Sequence, residues 1–174
     1  MRKKRLLQLT AALLCAVILS ACGGTPADAD YTCTVSISCA TILDNMDQCA
    51  ESKRELVPED GVILPPTEVA FAEGESAFDV LQRVCRDNGI HLESKFTPVY
   101  NSAYIQGIHN IYEFDVGKLS GWMYAVNDWF PNYGCSLYQV QDGDVIRWVY
   151  TCDLGADVGG GQAAGDGQQE GAST

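Results

Sequence analysis

The pattern of hydrophobic and polar positions predicts a strand that begins at Tyr31 and a helix that begins near Ser76. Every second residue from Tyr31 to Cys39 is hydrophobic, and the residues between them are Thr or Ser. This period of two is typical of a strand with one buried face. From Ser76 onward hydrophobic residues recur at helical spacing, and Ser76 precedes Asp79 by three residues, as in a capping box. We therefore predict a helix over residues 76–88.

The rest of the chain predicts further short strands but no second long helix. Residues 62–64 and 68–71 predict two strand pieces that Pro65 and Pro66 separate. Residues 100–110 form a looser segment. The other predicted strands lie at 91–98, 111–116, 122–127 and 145–152. One strong helix among five or six strands indicates the α+β class.

The N-terminus has the three zones of a secretory signal peptide. Residues 2–5 are basic, residues 6–19 form an apolar run, and small residues then lead into Cys22. The run is too short for a spanning helix. The order Leu-Ser-Ala-Cys resembles the lipobox of bacterial lipoproteins, and this resemblance implies cleavage before Cys22 and lipidation of that cysteine. We predict a signal peptide at 1–21, a tether at 22–30, and an extracytoplasmic protein anchored to the cell membrane by its N-terminal lipid.

Composition and charge define the remaining domain. Gly, Gln, Ala and Asp dominate residues 155–174, which predicts a disordered tail, so that residues 31–154 form one domain. Residues 1–21 hold four of the eleven basic residues and none of the 23 acidic ones, which leaves a formal charge of −16. Such a charge disfavours nucleic acid as a partner.

An even number of cysteines in an exported domain predicts a disulfide framework. The six candidates are Cys33, Cys39, Cys49, Cys85, Cys135 and Cys152. A bond between Cys33 and Cys39 is excluded, because six residues of strand span about 20 Å and a disulfide needs Cα atoms within about 7 Å. The pairing otherwise stays open. The rival use of these cysteines is zinc binding, which the absence of any C-x-x-C spacing disfavours.

Catalytic motifs are missing from the sequence. It contains no G-x-S-x-G, H-E-x-x-H, P-loop or Rossmann glycine pattern, and its two histidines, His91 and His109, lack the spacing of metal ligands. We therefore predict a protein that is not an enzyme and that has no catalytic residue, no metal site and no cofactor.

Two segments resemble a bacterial domain of unknown function, DUF4430. The first is Gly74–Leu81, and the second runs from Gly121 to Trp148, with Gly-Trp-Met-Tyr-Ala-Val-Asn at its start and Asp-Gly-Asp near its end. That family is similar to the C-terminal β-domain of the cobalamin carriers transcobalamin and intrinsic factor. The resemblance implies a β-grasp-like mixed sheet packed on one main helix over residues 31–154.

The same resemblance implies a ligand. In the cobalamin carriers this domain resembles a lid over one face of the corrin ring, so the implied ligand is cobalamin or another corrinoid, with a partner protein completing the site. The candidate ligand-binding residues are Trp122, Tyr124, Asn127, Trp129, Phe130 and Tyr133. For Trp122 a core position stays open as the alternative.

A surface-anchored lipoprotein with a small-molecule-binding domain is the predicted function. The alternative is a non-catalytic adhesive or structural module that binds a protein or a glycan. A concave pocket of about 300 Å³ or more at the Trp129–Phe130 loop would favour a small molecule, and a flat exposed patch would favour a protein.

Overall fold

The computed structural model describes residues 29–160. In chain order the elements are β1 Tyr31–Ser38, β2 Val62–Phe71, α1 Ala77–Asp87, β3 Leu92–Thr97, β4 Ser102–Ile108, β5 Ile111–Tyr112, β6 Gly121–Val126 and β7 Val145–Thr151, with 3₁₀ helices at Ala40–Asn45, Glu51–Leu56 and Ala156–Val158. No helix in the described part of the chain is long and apolar enough to cross a membrane. The predicted signal peptide, the lipidation site Cys22 and most of the tether lie outside the described residues.

A mixed four-stranded sheet in the order β2-β1-β7-β6 forms the centre of the fold. β1 is antiparallel to β2 and parallel to β7, and β6 is antiparallel to β7. The alternation in β1 places Cys33, Val35 and Ile37 in the core, at 2%, 0% and 0% exposure. The predicted strand and the predicted α+β class are confirmed.

The helix α1 packs its hydrophobic face into the same core. Val80, Leu81 and Val84 are buried in one cluster with Trp148 of β7. The predicted capping box is present, because the Ser76 side chain accepts from the backbone N–H of the third helical residue and that residue's carboxylate accepts from Ser76 N–H. The prediction of one main helix is therefore confirmed within the described residues.

β2 corrects the prediction of two strand pieces around Pro65 and Pro66. The strand runs through both prolines, and its pairing with β1 shifts register between Leu64 and Thr67. β2 lies at the edge of the sheet. An edge strand with an irregular register tolerates residues that lack an N–H donor.

A second sheet, in the order β3-β4-β5, corrects the prediction for residues 100–116. The segment that we expected to be loose forms β4, which pairs with β3 from Thr97↔Ser102 to Leu92↔Ile108. The strand predicted at 111–116 is reduced to Ile111–Tyr112. This sheet lies beside the first, since β4 contacts β6.

The C-terminal end of the described chain is folded further than predicted. Residues 155–160, which we assigned to the disordered tail, contain a 3₁₀ helix. The Asp157 carboxylate accepts from the Thr151 hydroxyl and from Cys152 N–H. The predicted tail over 161–174 lies outside the described residues.

The cysteines do not support the predicted disulfide framework. All six described cysteines are free thiols, and five of them are buried. Burial raises the pKa of Cys33 to about 11 and that of Cys39, Cys85 and Cys135 to about 12. The buried thiols pack in the core as small hydrophobic side chains, and the predicted disulfide framework is not supported within the described residues.

Candidate functional site

A groove of about 370 Å³ lies between the β3–β4 hairpin and the loop at residues 131–137. We call it the aromatic groove. It is lined by Thr97, Tyr100, Ser102, Ala103, Tyr104, Pro131, Asn132, Tyr133, Gly134 and Leu137. All ten of these residues are uncharged at neutral pH, so the groove is suited to a neutral ligand.

Four residues hold the 131–137 loop against β4. The Ser136 hydroxyl accepts from Ala103 N–H at 3.0 Å and lies 2.8 Å from the Ser102 hydroxyl. Gly134 lies so close to Ser102 that a Cβ atom on Gly134 would overlap the Ser102 side chain. The loop therefore reaches β4 because residue 134 has no side chain.

Exposed aromatic and aliphatic side chains form the walls of the groove. Tyr100 is 73% exposed, Tyr104 is 47% exposed and Leu137 is 46% exposed. Burial, and then a 2.6 Å hydrogen bond from its hydroxyl to Glu113, raises the pKa of Tyr104 to about 12. The phenol thus remains neutral over the physiological pH range.

Of the six predicted ligand-binding residues, Tyr133 lines the aromatic groove, and Trp129 lies beside Tyr133. The two rings meet edge to face, with 5.9 Å between their centroids, and Trp129 is 48% exposed. Asn127 and Asp128, both with positive φ, turn the chain between Val126 and Trp129. Positive φ at both central residues is the geometry of a tight hairpin turn, and it places Trp129 next to the groove.

Asn127 contacts the protein and not the groove. Its Nδ2 donates to the Asp144 carboxylate at 2.8 Å, and its Oδ1 accepts from Val145 N–H at 2.9 Å. Both polar atoms of the side chain are therefore engaged in holding the turn to the start of β7. Asn127 therefore positions the turn that precedes Trp129.

Asp144 is the centre of this arrangement. It is 4% exposed, and its carboxylate accepts from Asn127 Nδ2, from the Tyr138 hydroxyl at 2.9 Å and from Gln141 N–H at 2.8 Å. The Asp-Gly-Asp segment thus forms a turn that leads into a strand, since Gly143 has a φ of +82°. Asp144 joins the turn that carries Trp129 to the segment that follows the groove loop.

Trp122 and Tyr124 are buried at the side of a second cavity, of about 190 Å³. We call it the inner cavity. It shares Ala103, Tyr104, Pro131 and Gly134 with the aromatic groove. The two predicted residues therefore lie next to the aromatic groove, and their buried side chains form part of the wall of the inner cavity. Trp122 occupies a core position, which was the alternative interpretation of this residue.

Phe130 is separated from the other predicted residues. It is only 5% exposed, and Gly160 lies against its ring. The loop assignment misled the prediction, because Phe130 follows the turn and points its side chain into the packed C-terminal segment. Its burial removes it from the groove surface.

Sequence reasoning missed the hairpin side of the groove, where Tyr100 and Tyr104 lie, and it also missed Leu137 in the opposite loop. Only the structure shows that Tyr104 is more exposed than Ala103 and Ile105, because all three residues are hydrophobic and the sequence has no alternation there.

Two other features of the described chain do not form the site. A cavity of about 410 Å³, bounded by Tyr31, Phe71 and residues 139–142, is larger than the groove but contains none of the predicted residues. Within residues 29–160, no group of three or more His, Cys, Asp or Glu side chains could hold a metal ion. The groove is therefore the candidate site.

The fold is similar to that of a solved corrinoid-binding complex. Haptocorrin in complex with Cbi matches with a TM-score of 0.53 and 13% identity, over 78% of this chain and 28% of haptocorrin. This chain thus spans little more than a quarter of that protein's length, and at this identity the likeness concerns the fold alone. It confirms at the level of the fold the predicted resemblance to the cobalamin-carrier β-domain.

Other comparisons add a family and one weaker structural match. A Ruminococcus gnavus protein described as a “putative metal binding protein” is 15% identical over 70% of this chain and 97% of its own, with a TM-score of 0.42, too low to indicate a shared fold. No curated protein matches this chain in sequence. Residues 74–152 match the family described as “Domain of unknown function (DUF4430)”. This segment, which includes α1 and the whole groove, is therefore similar to that family, as the predicted resemblance implied.

Proposed function

We propose that this protein is a non-catalytic binding protein for a corrinoid, which lies against the aromatic groove. The observation that carries the proposal is the groove itself, a concave surface of about 370 Å³ with three tyrosines and no charged residue in its lining. A volume of that size falls in the range of small-molecule sites. Its volume also exceeds the value of about 300 Å³ that favours a small molecule over a protein, but its lining comes from the β3–β4 hairpin and the 131–137 loop and includes neither Trp129 nor Phe130.

The chemistry of the groove suits a corrinoid. A corrinoid is large, flat and mostly neutral, and amide groups surround its rim. Tyrosine offers such a ligand a flat apolar ring and a polar hydroxyl on one side chain. The likeness in fold to haptocorrin, which was solved in complex with Cbi, supports the same ligand class.

The groove contacts only part of a ligand of this size. Since the matched segment is 28% of haptocorrin, we propose that a partner protein supplies the opposite face of the site. The hairpin beside the groove supports this, because Phe96 is 59% exposed and Val99 is 86% exposed. Large apolar side chains with this exposure are candidates for a contact with another protein.

The same hairpin favours a second candidate function, which is adhesion to a protein without any small ligand. Phe96 and Val99 would then be the contact residues, and the groove would be incidental. The two functions differ in one respect that can be measured, since only the first requires saturable binding of a corrinoid.

We propose that the protein acts outside the cytoplasm, held at the membrane by lipid on Cys22. The support is the basic, apolar and small-residue order of residues 2–21 that leads into this cysteine. Mass spectrometry of the protein from its host membrane is expected to find an N-terminal peptide that begins at a diacylglyceryl Cys22. An intact N-terminus at Met1 would contradict this.

Titration of the purified full-length protein with cobinamide and cyanocobalamin tests the proposed function. Calorimetry and visible absorption are expected to show saturable binding in the micromolar range or tighter. If neither heat nor a spectral change appears at millimolar ligand, the groove is not a corrinoid site on this chain alone, and capture of a partner protein that depends on Phe96 and Val99 would support adhesion.

Tyr133→Ala is expected to weaken cobinamide binding by about tenfold or more, because it removes an aromatic wall of the groove. The free energy of unfolding should change by less than about 1 kcal/mol, since the side chain is 39% exposed. Calorimetric titration and urea denaturation measure the two effects. Tyr31→Ala is the matched control, because Tyr31 is 37% exposed but lies outside the groove.

A further inference from the structure

The strand β3 forms an open edge of the second sheet. In the order β3-β4-β5 only one side of β3 has a neighbour, and every residue of the strand is exposed or half-buried. The backbone groups on an open edge can form hydrogen bonds with a strand of another chain. The direction in which each residue points its N–H and C=O groups determines which partner strand fits.

Phe96 points its backbone groups toward the open edge. Its partner on β4 is Ala103, whose N–H donates to the Ser136 hydroxyl at 3.0 Å, on the side of β4 that faces the 131–137 loop. Opposing residues of an antiparallel pair either exchange both hydrogen bonds or exchange none. Because the N–H of Ala103 points away from β3, the N–H and C=O of Phe96 point away from β4.

The same direction holds for every second residue of the strand. The His91 carbonyl accepts from His109 N–H at 2.8 Å, so His91, next to the start of β3, points its carbonyl toward the β4 side. Backbone groups of successive residues in a strand point in opposite directions. Leu92 and Ser94 therefore point their N–H and C=O groups outward, as Phe96 does. Within residues 29–160 no strand pairs with this edge.

A second copy of β3 fits this edge in an antiparallel register that is centred on Ser94. This register uses all three outward-pointing residues, because Ser94 pairs with Ser94 of the second copy and Leu92 pairs with Phe96. Each of these pairs exchanges two backbone hydrogen bonds, which gives about six bonds in all. A shift by two residues in either direction would leave outward-pointing groups of both copies without a partner.

The register that the backbone favours also places opposite charges next to each other. Glu93 faces Lys95 of the second copy, twice by symmetry, at the non-hydrogen-bonded positions where side chains of an antiparallel pair lie closest. Within the described residues Lys95 forms no ion pair, and the Glu93 carboxylate accepts from the Tyr112 hydroxyl at 2.9 Å. A lysine on an edge strand usually prevents pairing between copies, but here it faces a carboxylate.

Apolar side chains support the same pairing. Phe96 is 59% exposed and Leu92 is half-buried, and both lie on one face of β3 because they are four residues apart. In the dimer, Phe96 of each copy lies across from Leu92 of the other. Cross-strand pairs of an aromatic and an aliphatic side chain stabilise a sheet, so the contact covers part of the exposed ring.

We propose that the protein forms a symmetric dimer by antiparallel pairing of β3, which joins the two three-stranded sheets into one sheet of six strands. The partner is a second copy of this chain, because the charges and the outward-pointing groups of β3 are complementary to themselves. Thr97, which lines the aromatic groove, directly follows the paired residues, so the dimer places two grooves on one sheet. The dimer does not rest on the proposed function, since no ligand takes part.

Sedimentation velocity of the purified full-length protein tests the dimer. A contact made by one short strand is small, so a dissociation constant in the micromolar range is expected. The wild-type protein should therefore change from monomer to dimer between low and high micromolar concentration. The samples contain a nonionic detergent, because residues 6–19 are strongly apolar.

Charge reversal at β3 tests the register. Glu93→Lys and Lys95→Glu each place two like-charge pairs in the contact and are expected to weaken dimerisation by about tenfold or more. An equimolar mixture of the two variants restores opposite charges at both positions and should dimerise like the wild-type protein. Lys118→Glu is the matched control, because Lys118 is exposed and lies outside β3.

Ser94→Pro tests the backbone pairing. Proline removes the N–H at the centre of the proposed contact, so the dimer should be lost. An edge strand tolerates proline where the N–H points to solvent, so the melting temperature should fall by only a few degrees. Thermal melting and sedimentation velocity measure the two effects.

Three results would overturn the proposed dimer. The first is a wild-type protein that stays monomeric at high micromolar concentration. The second is a dimer that forms equally well in Glu93→Lys, Lys95→Glu and the wild type, since such a dimer uses another surface. The third is a mixture of the two charge variants that stays monomeric. Dimerisation of the mixture, with each variant monomeric by itself, supports the pairing of β3 in the register centred on Ser94.

Discussion

Gly134→Ala is expected to lower the free energy of unfolding by about 3 kcal/mol and to abolish ligand binding. The added methyl group would overlap both the Cβ and the hydroxyl of Ser102. Ser102 is 2% exposed at the start of β4 and cannot turn away into solvent. The 131–137 loop would therefore have to leave β4, and the hydrogen bonds of Ser136 to Ser102 and Ala103 would be lost with it.

Urea denaturation and cobinamide titration measure the two effects of Gly134→Ala. Gly121→Ala is the matched control, because a Cβ on Gly121 would meet only the Glu113 side chain, at an ordinary distance of 3.7 Å. This control should be neutral or slightly stabilising. Ser102→Gly in the Gly134→Ala background removes the overlapping atoms and should restore part of the stability. Equal stability of the Gly134→Ala and Gly121→Ala variants would contradict close approach of the loop.

Elements with strong local signals were predicted from the sequence. The alternation in β1 extends over eight residues, and the helix has both a hydrophobic face and a capping box. Each signal is complete within one element, because it depends on neighbours in the chain. The same holds for β6 and β7, whose predicted positions agree with the observed ranges to within a residue.

Elements that depend on distant partners were predicted less well. β4 mixes hydrophobic residues with Ser, Gln and Gly in no alternating order, and it is a strand because β3 pairs along its length. β2 tolerates two prolines because it lies at an edge. Neither fact can be read from the segment itself, since edge position and pairing are properties of the whole sheet.

Only one side of the candidate site was predicted, because the other side also depends on a segment that is distant in the chain. The turn that carries Trp129 and the loop that carries Tyr133 follow β6 directly, and both were found. The opposite wall comes from the β3–β4 hairpin, which is about 30 residues away in the chain and reaches the loop only through tertiary contact. A sequence pattern identifies residues that are close in the chain and form one wall of a groove. It does not identify the opposite wall when that wall comes from a distant segment.

The cysteines show where a compositional argument fails. An even count is compatible with pairing, but it is equally compatible with thiols packed in the core, where five of the six lie. The pattern of β1 predicted the burial of Cys33, which lies at the inward positions of the alternation together with Val35 and Ile37. A cysteine at a core position of a periodic strand behaves as a small hydrophobic residue.

The segment that matches DUF4430 does not contain the whole sheet. The match covers residues 74–152, yet β1 lies at the centre of the sheet, between β2 and β7. β1 pairs in parallel with β7 from Thr34↔Val145 to Ser38↔Val149. Residues 31–71 are therefore an integral part of the domain that presents the groove.

Asp144→Ala is expected to be the most destabilising loss of a polar side chain in the domain, by about 3–5 kcal/mol. Three donors would lose one buried acceptor together, and hydrogen bonds to a carboxylate are stronger than those to neutral groups. Burial, and then the hydrogen bond to Asp144, raises the pKa of Tyr138, so that hydroxyl stays protonated and would be left unpaired. The turn that carries Trp129 would also lose its link to the 138–141 segment.

Urea denaturation monitored by tryptophan fluorescence measures the cost of Asp144→Ala. Asp142→Ala is the matched control two residues away, because Asp142 is exposed and accepts from Thr32 N–H alone, at 3.0 Å. Its expected cost is about 1 kcal/mol. Asp144→Asn should lie between the two, since it keeps one acceptor oxygen but replaces the other by an amide nitrogen that cannot accept. If Asp144→Ala and Asp142→Ala cost the same, the hydrogen bonds of Asp144 do not organise the turn, and the orientation of Trp129 beside the aromatic groove must be fixed by its contact with Tyr133.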